Sequence, residues 1–263
     1  MNLDYNDYQE EEIRALPTIL LLDTSGSMGM DLGGAKKIDK LNEAVKKMMN
    51  KFDELEQFER FIRVTVIAFD NNVRLIGQVH SEPAKFLQNF TELTSQGMTY
   101  LGLALDEAKS ILEDPTKTPK RWYKPVVILV SDGEPNGNWE APLDNFIGEG
   151  KSAKSQRFAV AIGAEAARAK NTLIKFTGTE KNLLFAQNAD DIVKHFEFLS
   201  RTVYNRASQK NPDLFSIDST SAFDTLDKPK LFAGTRKTST SQRKTRSIQI
   251  SQNNQEDDDD DWG

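Results

Sequence analysis

The sequence predicts an α/β fold with three layers, in which helices cover both faces of a doubly wound, mainly parallel sheet of about six strands. Short apolar runs alternate with amphipathic stretches along the chain, and this alternation is typical of βαβ units. The run from Val126 to Val130 is apolar at every position, which indicates a strand buried on both faces. With 263 residues, of which 38% are hydrophobic, the chain is long enough to enclose one full core.

Six apolar runs are predicted to be strands. They are Thr18–Leu22, Phe61–Phe69, Asn72–Val79, Pro125–Ser131, Arg157–Gly163 and Asn182–Ala186. Only Asp70 and Asn71 separate the second run from the third, and a connection this short excludes a parallel crossover. We therefore expect that pair to be antiparallel and to form one edge of the sheet.

Four stretches have the spacing of amphipathic helices. They are Ile38–Phe52, Pro83–Phe90, Leu101–Leu112 and Ala189–Tyr204. In the first of them Leu41, Val45 and Phe52 recur on one face, and in the last Ile192 and Phe196 do the same. These apolar faces are expected to pack on the sheet.

Composition divides the chain into three parts. We predict an acidic N-terminal extension at residues 1–14, a folded domain at 15–204 and a low-complexity tail at 205–263. Within the tail, the Ser/Thr-rich stretch 228–251 carries only basic charges, whereas 256–261 is uniformly acidic. Because large apolar residues are sparse there, we expect little stable structure in the tail.

Composition and charge also exclude several classes of protein. The chain has no cysteine, which removes disulfides and zinc–thiolate sites and favours a reducing compartment. A formal net charge of -6 argues against nucleic acid as a partner. No apolar run has the roughly 18 residues of a membrane span, and the acidic N-terminus lacks the pattern of a signal peptide. We therefore expect a cytoplasmic protein without membrane or nucleic-acid partners.

Oxygen-bearing side chains follow the first predicted strand at alternating positions. Asp23, Ser25 and Ser27 can converge on one point at the carboxyl end of that strand, where open α/β sheets place their ligands. A carboxylate and two hydroxyls suit Mg²⁺, with Mn²⁺ or Ca²⁺ as alternatives, whereas softer metals prefer histidine or cysteine. The pattern predicts a divalent-cation site.

Two later segments supply further oxygen ligands. Thr99 comes just before a predicted helix, and Asp132 follows the most apolar strand. Each motif by itself is also compatible with residues that cap turns, but three such segments together favour a metal site. Two aspartates only balance the charge of a divalent cation, so a bound metal would still attract an anion such as a partner's carboxylate.

This order of residues, Asp-x-Ser-x-Ser followed by a Thr and then an Asp, resembles the von Willebrand factor A (vWA) domain and its metal-ion-dependent adhesion site (MIDAS). The resemblance extends over roughly residues 15–204 and implies a Rossmann-like fold. It implies that the side chains of Ser25, Ser27 and Thr99 contact the cation directly, and that those of Asp23 and Asp132 act directly or through water. The remaining position would be filled by an Asp or Glu of a protein partner.

Three motifs are similar, more narrowly, to those of the bacterial tellurite-resistance (TerY-type) group of vWA proteins. They are Leu-Leu-Asp-Thr-Ser-Gly-Ser-Met, Gly-Met-Thr-Tyr-Leu-Gly-x-Ala-Leu and Leu-Val-Ser-Asp-Gly-Glu-Pro. The similarity implies a non-catalytic adaptor in a stress-response or phage-defence (antiviral) system with protein kinase or phosphatase partners. Ser and Thr residues between positions 235 and 251 alternate with Arg and Lys, so the tail is either a kinase substrate or an unmodified linker.

Two other functions are alternatives to a non-catalytic adaptor. A Mg²⁺-dependent phosphohydrolase would use Asp23 as its nucleophile, but haloacid dehalogenase-type enzymes need a second aspartate where this chain has Ser25. The chain also lacks the Gly-x-x-x-x-Gly-Lys loop that binds nucleotide phosphates. An extracellular adhesin is the other alternative, and it would need export and anchor segments that the sequence does not show.

Aromatic and histidine residues outside these motifs have less specific interpretations. Trp122, Tyr123 and Trp139 flank the apolar strand. We expect them near the Thr99 and Asp132 edge, as part of a docking surface or as core residues. His80 and His195 have no serine or carboxylate constellation around them in sequence, and both are expected to be structural.

Overall fold

A computed structural model of the protein describes residues 14–56 and 61–215. Its strands are β1 (Leu16–Asp23), β2 (Ile62–Phe69), β3 (Val73–Ser81), β4 (Val126–Ser131), β5 (Gln156–Ile162) and β6 (Leu183–Ala186). They form a 6-stranded sheet in the order β3-β2-β1-β4-β5-β6. All neighbouring strands are parallel except β2 and β3, which form the antiparallel edge pair. The predicted fold class is confirmed.

Seven helices surround this sheet in the described part of the chain. They are α1 (Lys37–Glu56), α2 (Pro83–Asn89), α3 (Leu101–Glu113), α4 (Glu140–Gly148), α5 (Gly150–Ala153), α6 (Lys170–Thr177) and α7 (Ala189–Ala207). The sequence predicts α1, α2, α3 and α7 but not the other three. α5 has only 4 residues, over which an apolar spacing cannot repeat, whereas α4 and α6, with 9 and 8 residues, are no shorter than the predicted α2 with 7. Pro142 lies in the first turn of α4, where a helix does not need its backbone N–H.

Both faces of the sheet are covered by helices. On one face Leu20 and Val130 pack in a core with side chains of α1, α2 and α7. On the other face Leu21 and Leu129 pack with side chains of α3, α4 and α6. Successive strand residues point to opposite faces, so a strand between two helical layers is apolar at most positions. This accounts for the continuous apolar runs in the sequence.

The end of α7 is anchored by a buried arginine. Arg206 is 3% exposed, and its guanidinium donates hydrogen bonds to the carbonyls of Pro212 and Lys124 at 3.0 and 2.5 Å. Burial lowers the pKa of Arg206 to about 10. The Asp213 carboxylate accepts a hydrogen bond from the Lys124 backbone N–H at 2.7 Å. These contacts tie the chain after α7 to the start of β4, past the predicted boundary at residue 204.

Some predictions concern residues outside the described ranges. They are the basic stretch 228–251, the acidic stretch 256–261 and nearly all of the N-terminal extension. Within the described ranges, no helix is both long and apolar enough to cross a membrane.

His80 lies at an irregular point of the β2–β3 pair. The register shifts between Val64 and Val66, and His80 has a φ of 52°, the one positive value at a non-glycine position in the described ranges. The two imidazole nitrogens lie 3.2 Å from the Thr65 hydroxyl and 2.8 Å from the Thr118 hydroxyl. Burial lowers the pKa of His80 to about 4. The imidazole is therefore held in its neutral form by the surrounding protein.

This burial should make the protein less stable in mild acid. Below pH 6.5 an unfolded His80 takes up a proton that the folded protein excludes until about pH 4. Between these pH values the free energy of unfolding should fall by roughly 3 kcal/mol through this group. We expect His80→Asn to flatten the pH dependence of urea unfolding by that amount, since asparagine tolerates positive φ. An unchanged slope would show that another group is responsible.

Candidate metal centre

The candidate site lies where the strand order of the sheet reverses. β1 pairs with β2 on one side and with β4 on the other, and both pairs are parallel. Asp23 is the last residue of β1, and Asp132 directly follows β4. In open α/β sheets the crevice outside the carboxyl ends at such a switch point is the usual position of ligands. The two aspartates singled out by the sequence therefore lie at neighbouring strand ends.

Asp23 is a fully buried carboxylate, with an exposed fraction of 0%. Its Oδ1 accepts a hydrogen bond from the Ser25 N–H at 2.8 Å, and its Oδ2 accepts one from the Ser131 hydroxyl at 2.6 Å. In the described part of the chain, no lysine or arginine forms an ion pair with it. Burial raises the pKa of Asp23 to about 6, and the hydrogen bonds from Ser131 and Ser25 offset this only in part. A cation beside this carboxylate would favour its charged form.

The two serines of the motif connect this end of β1 to Asp132. The hydroxyl oxygens of Ser25 and Ser27 are 3.0 Å apart, and Ser27 donates a hydrogen bond to Oδ1 of Asp132 at 2.7 Å. Ser25 is buried and Ser27 is half-buried. The buried side chain of Met28 anchors the short 3-10 turn that carries Ser27. The site is therefore more open on the Ser27 side than on the Asp23 side.

Thr99 reaches the site because its loop runs beside the Asp23–Ser27 loop. The Gly26 N–H donates to the Gly97 carbonyl at 2.9 Å, and the Gln96 N–H donates to the Thr24 carbonyl at 2.8 Å. Gly97 has a φ of +68°, and a Cβ there would lie 2.8 Å from Cγ of Asn71, so only glycine fits. These bonds bring Thr99 to the same end of the sheet.

Asn136 holds Thr99 in place through two backbone contacts. The Thr99 N–H donates to the Asn136 side-chain oxygen at 2.9 Å, and the Asn136 N–H donates to the Thr99 carbonyl at 2.7 Å. Thr99 is 6% exposed, and within the described ranges its hydroxyl makes no hydrogen bond. That oxygen is therefore available to a ligand.

Lys37 is a charged member of this site that sequence reasoning missed. Its ammonium lies 2.8 Å from Oδ2 of Asp132, with side-chain exposures of 2% and 0% for the two residues. One signal for it was present in the sequence. A lysine at the start of a predicted helix lies at the positive end of the helix dipole, an unfavourable position that calls for a nearby anion.

Ser131 and Asn136 are two further residues that the site residues depend on, and sequence reasoning assigned neither of them. Ser131 lies in the Ser-Asp-Gly-Glu-Pro motif, in which only its neighbour Asp132 is a predicted metal ligand. Asn136 follows that motif directly and had no pattern of its own.

The structure brings all five predicted site residues together at one end of the sheet. Asp23, Ser25, Ser27 and Asp132 belong to one hydrogen-bonded cluster, and backbone contacts place Thr99 beside it. No group of three or more Asp, Glu, His or Cys side chains suited to a metal occurs among the residues described. The site consists instead of two carboxylates and three hydroxyls, all hard oxygen donors that fit a divalent cation. Coordination by these residues stays a prediction.

The expectation that Trp122 and Tyr123 lie near this site is wrong. The Tyr123 N–H donates to the carbonyl of Ala15, which precedes β1 and so lies at the opposite end of the strand from Asp23. Trp122 packs edge-on against the His80 ring at 5.2 Å. Trp139, by contrast, is partly buried against the core next to α3 and α4. The loop between α3 and β4 has to return to the amino end of the sheet before β4 begins. Trp122 and Tyr123 lie in the last part of this loop and therefore at the amino ends of the strands.

The family model of the von Willebrand factor type A domain matches residues 18–134 of this chain. The matched part begins in β1 and ends just after Asp132, so it includes every predicted site residue. Residues 18–134 are therefore similar to a vWA domain, a type of domain that often mediates protein–protein interaction or adhesion. No curated protein is a significant match to the chain.

Solved structures with the same fold include three informative examples. The vWF domain of the type V pili tip protein Mfa5 from Porphyromonas gingivalis has a TM-score of 0.58 at 12% identity, covering 76% of this chain and 98% of that one. The mussel byssus proximal thread matrix protein 1, with a zinc-occupied MIDAS motif, has a TM-score of 0.53 at 17% identity, covering 72% of this chain and 46% of that one. The pilus adhesin SpaC from Lactobacillus rhamnosus GG in its open conformation has a TM-score of 0.58 at 14% identity, covering 73% of this chain and 30% of that one.

These similarities establish the fold and do not transfer a function. This chain spans less than half of the mussel protein and less than a third of the SpaC structure.

We predict that Ser131→Ala destabilises the protein by about 1–3 kcal/mol, because it leaves Oδ2 of the buried Asp23 without a donor. The free energy of unfolding in urea, measured above pH 7, is the test. Ser200→Ala is the matched control, since that buried hydroxyl donates only to the Phe196 carbonyl of its own helix. Equal losses in the two variants would contradict a special role for Ser131.

Proposed function

We propose that this chain is a non-catalytic protein-interaction module whose vWA domain binds an Asp or Glu of a partner through a divalent cation. The observation that carries the proposal is Asp23, a fully buried carboxylate that has no ion-pair partner within the described ranges. The hydrogen bonds from Ser25 and Ser131 offset the cost of burying this charge only in part, and a positive charge would complete the compensation. The hydroxyls next to it are the ligands that a hard cation would add.

The residues that would hold the cation are Asp23, Ser25, Ser27, Thr99 and Asp132. When bound, the cation supplies a positively charged coordination position that an incoming carboxylate can occupy. Mg²⁺ is the first candidate because every donor is a hard oxygen, and Mn²⁺ and Ca²⁺ share that preference. Backbone contacts hold the loops that carry these residues in fixed positions, as those between Thr99 and Asn136 illustrate.

The surface beside the site supports contact with a protein. Met30 and Met98 are 48% and 49% exposed, and they lie on the two loops that carry Ser27 and Thr99. Exposed methionines are adaptable apolar contacts and are enriched at protein interfaces. A carboxylate flanked by apolar side chains would fit this surface.

The principal test uses the predicted ligand Asp23. We expect Asp23→Ala, or EDTA added to the unmodified chain, to abolish partner capture from a lysate of the native host that contains Mg²⁺. The exposed Asp190→Ala, which makes the same change in charge away from the site, should have no effect. If Asp23→Ala and the EDTA-treated chain retain the same partners as the untreated chain, the metal-bridge mechanism is wrong.

A second variant separates metal binding from folding. The Thr99 hydroxyl makes no hydrogen bond within the described ranges, so Thr99→Val should leave the unfolding temperature nearly unchanged. It should weaken Mg²⁺ or Mn²⁺ binding in isothermal titration by about tenfold or more, since one ligand of about six is lost. Unchanged metal affinity would remove Thr99 from the ligand set.

We further propose that the chain acts in the cytoplasm as an adaptor of a tellurite-resistance-like stress response or of phage defence, with kinase or phosphatase partners. The TerY-type motifs support this setting, and the Ser/Thr-rich tail supports the kinase. Mass spectrometry of protein from its stressed native host should find phosphate between positions 235 and 251. Its complete absence would count against the kinase link.

An enzymatic role for Asp23 is disfavoured by the geometry of the site. Both carboxylate oxygens of Asp23 already accept hydrogen bonds, and the side chain is 0% exposed, which argues against in-line attack on a phosphoryl group. We expect no hydrolysis of p-nitrophenyl phosphate with Mg²⁺ present. Hydrolysis that disappears in Asp23→Asn would instead favour the phosphohydrolase.

Adhesion outside the cell is the second candidate function, because two of the similar structures are pilus proteins. Because the identities are only 12% and 14%, the support that these structures give to adhesion rests on the shared fold alone. Digestion of intact host cells with protease distinguishes the two settings, since a cytoplasmic adaptor stays uncut until the cells are lysed.

A further inference from the structure

A buried ion pair joins the candidate site to the start of α1. The Lys37 ammonium lies 2.8 Å from Oδ2 of Asp132, and both side chains are almost completely inaccessible to solvent. A Cβ at Gly163, just after β5, would lie 3.6 Å from Cε and Nζ of this lysine. The side chain therefore extends from α1 across the carboxyl ends of the strands and is enclosed there.

The two oxygens of Asp132 have different partners. Oδ2 accepts from Lys37, whereas Oδ1 accepts from the Ser27 hydroxyl at 2.7 Å. Because Ser27 is a predicted metal ligand, Oδ1 is the oxygen of Asp132 that would act on a cation together with Ser27, whereas Oδ2 accepts from the lysine. Lys37 thus orients the Asp132 carboxylate through the oxygen that Ser27 does not contact.

Such a pair is poorly explained by stability alone. Removing two charges from water costs about as much as their attraction returns, and apolar residues of similar volume often stabilise a fold as well or better. The lysine also lies at the positive end of the α1 dipole. Its fixed charge, however, acts on anything bound next to Asp132.

We propose that Lys37 is a positioning residue that weakens the binding of a divalent cation by itself and couples that binding to an anionic ligand. The inference rests on the proposed function. Asp23, Asp132 and Lys37 together carry one net negative charge when both carboxylates are ionised. A bound divalent cation turns this into one net positive charge, which a partner's carboxylate neutralises. Without Lys37 the occupied site would already be neutral.

The test compares Mn²⁺ affinity in three forms of the full chain. Lys37→Gln removes the charge but keeps a hydrogen-bond donor for Asp132, and Lys36→Gln makes the same change at an exposed neighbouring position. We expect the Mn²⁺ dissociation constant, followed by electron paramagnetic resonance, to fall about tenfold or more in Lys37→Gln. It should stay within about twofold of the unmodified value in Lys36→Gln.

The outcomes separate this inference from the proposed function. A purely structural lysine predicts the opposite sign, because a loosened Asp132 would bind Mn²⁺ more weakly. Equal or weaker binding by a folded Lys37→Gln therefore overturns the role of Lys37 while leaving the metal site intact. If the unmodified chain binds no Mn²⁺, the proposed function fails as well.

A second measurement does not depend on any variant folding. Sodium acetate replaces sodium chloride at equal ionic strength, with free Mn²⁺ corrected for its acetate complexes. Linkage requires that an anion favoured by the occupied site tighten Mn²⁺ binding in turn, and we expect an increase of about twofold or more in the unmodified chain. Mn²⁺ affinity that does not respond to acetate overturns the proposed coupling.

Discussion

Two carboxylates buried at neighbouring strand ends are the constraint on which this end of the molecule depends. A buried carboxylate is tolerated only when hydrogen bonds or a positive charge replace the lost water. Asp23 obtains its donors from Ser25 and Ser131, and Asp132 obtains its partners from Ser27 and Lys37. The surrounding loops are therefore arranged to deliver donors to two fixed points.

The sheet topology explains how those donors come from distant parts of the chain. β1 and β4 are parallel neighbours, so their carboxyl ends lie at the same end of the sheet and the loops that follow them are adjacent. The loop that carries Thr99 follows no parallel strand directly, and its backbone bonds to Thr24 and Gly26 hold it in place instead. The oxygens are thus held in position by the protein itself, and this preorganisation is what a site needs to bind a cation without first ordering its ligands.

The two carboxylates differ in how their charge is balanced. Asp132 has a lysine, whereas the donors that Asp23 has among the described residues are all neutral, and the pKa of Asp23 is raised to about 6 by burial. A divalent cation would complete the balance at Asp23, and Lys37 would then leave the occupied site with a surplus of positive charge. The asymmetry is consistent with a site whose last ligand is an anion from another molecule.

The types and order of Asp23, Ser25, Ser27, Thr99 and Asp132 were determined by the sequence alone, as were all six strands and the helices α1, α2, α3 and α7. Strands buried on both faces are apolar throughout, and long helices repeat their apolar spacing, so each leaves a local pattern. α5 is too short to leave a pattern, whereas α4 and α6 are as long as the predicted α2, so length does not explain why sequence reasoning missed them. Only the tertiary structure decided that Lys37 pairs with Asp132, that Ser131 donates to Asp23, and that Trp122 lies far from the site. These contacts join residues far apart in the chain, and they depend on the order of strands in the sheet, which no local spacing encodes.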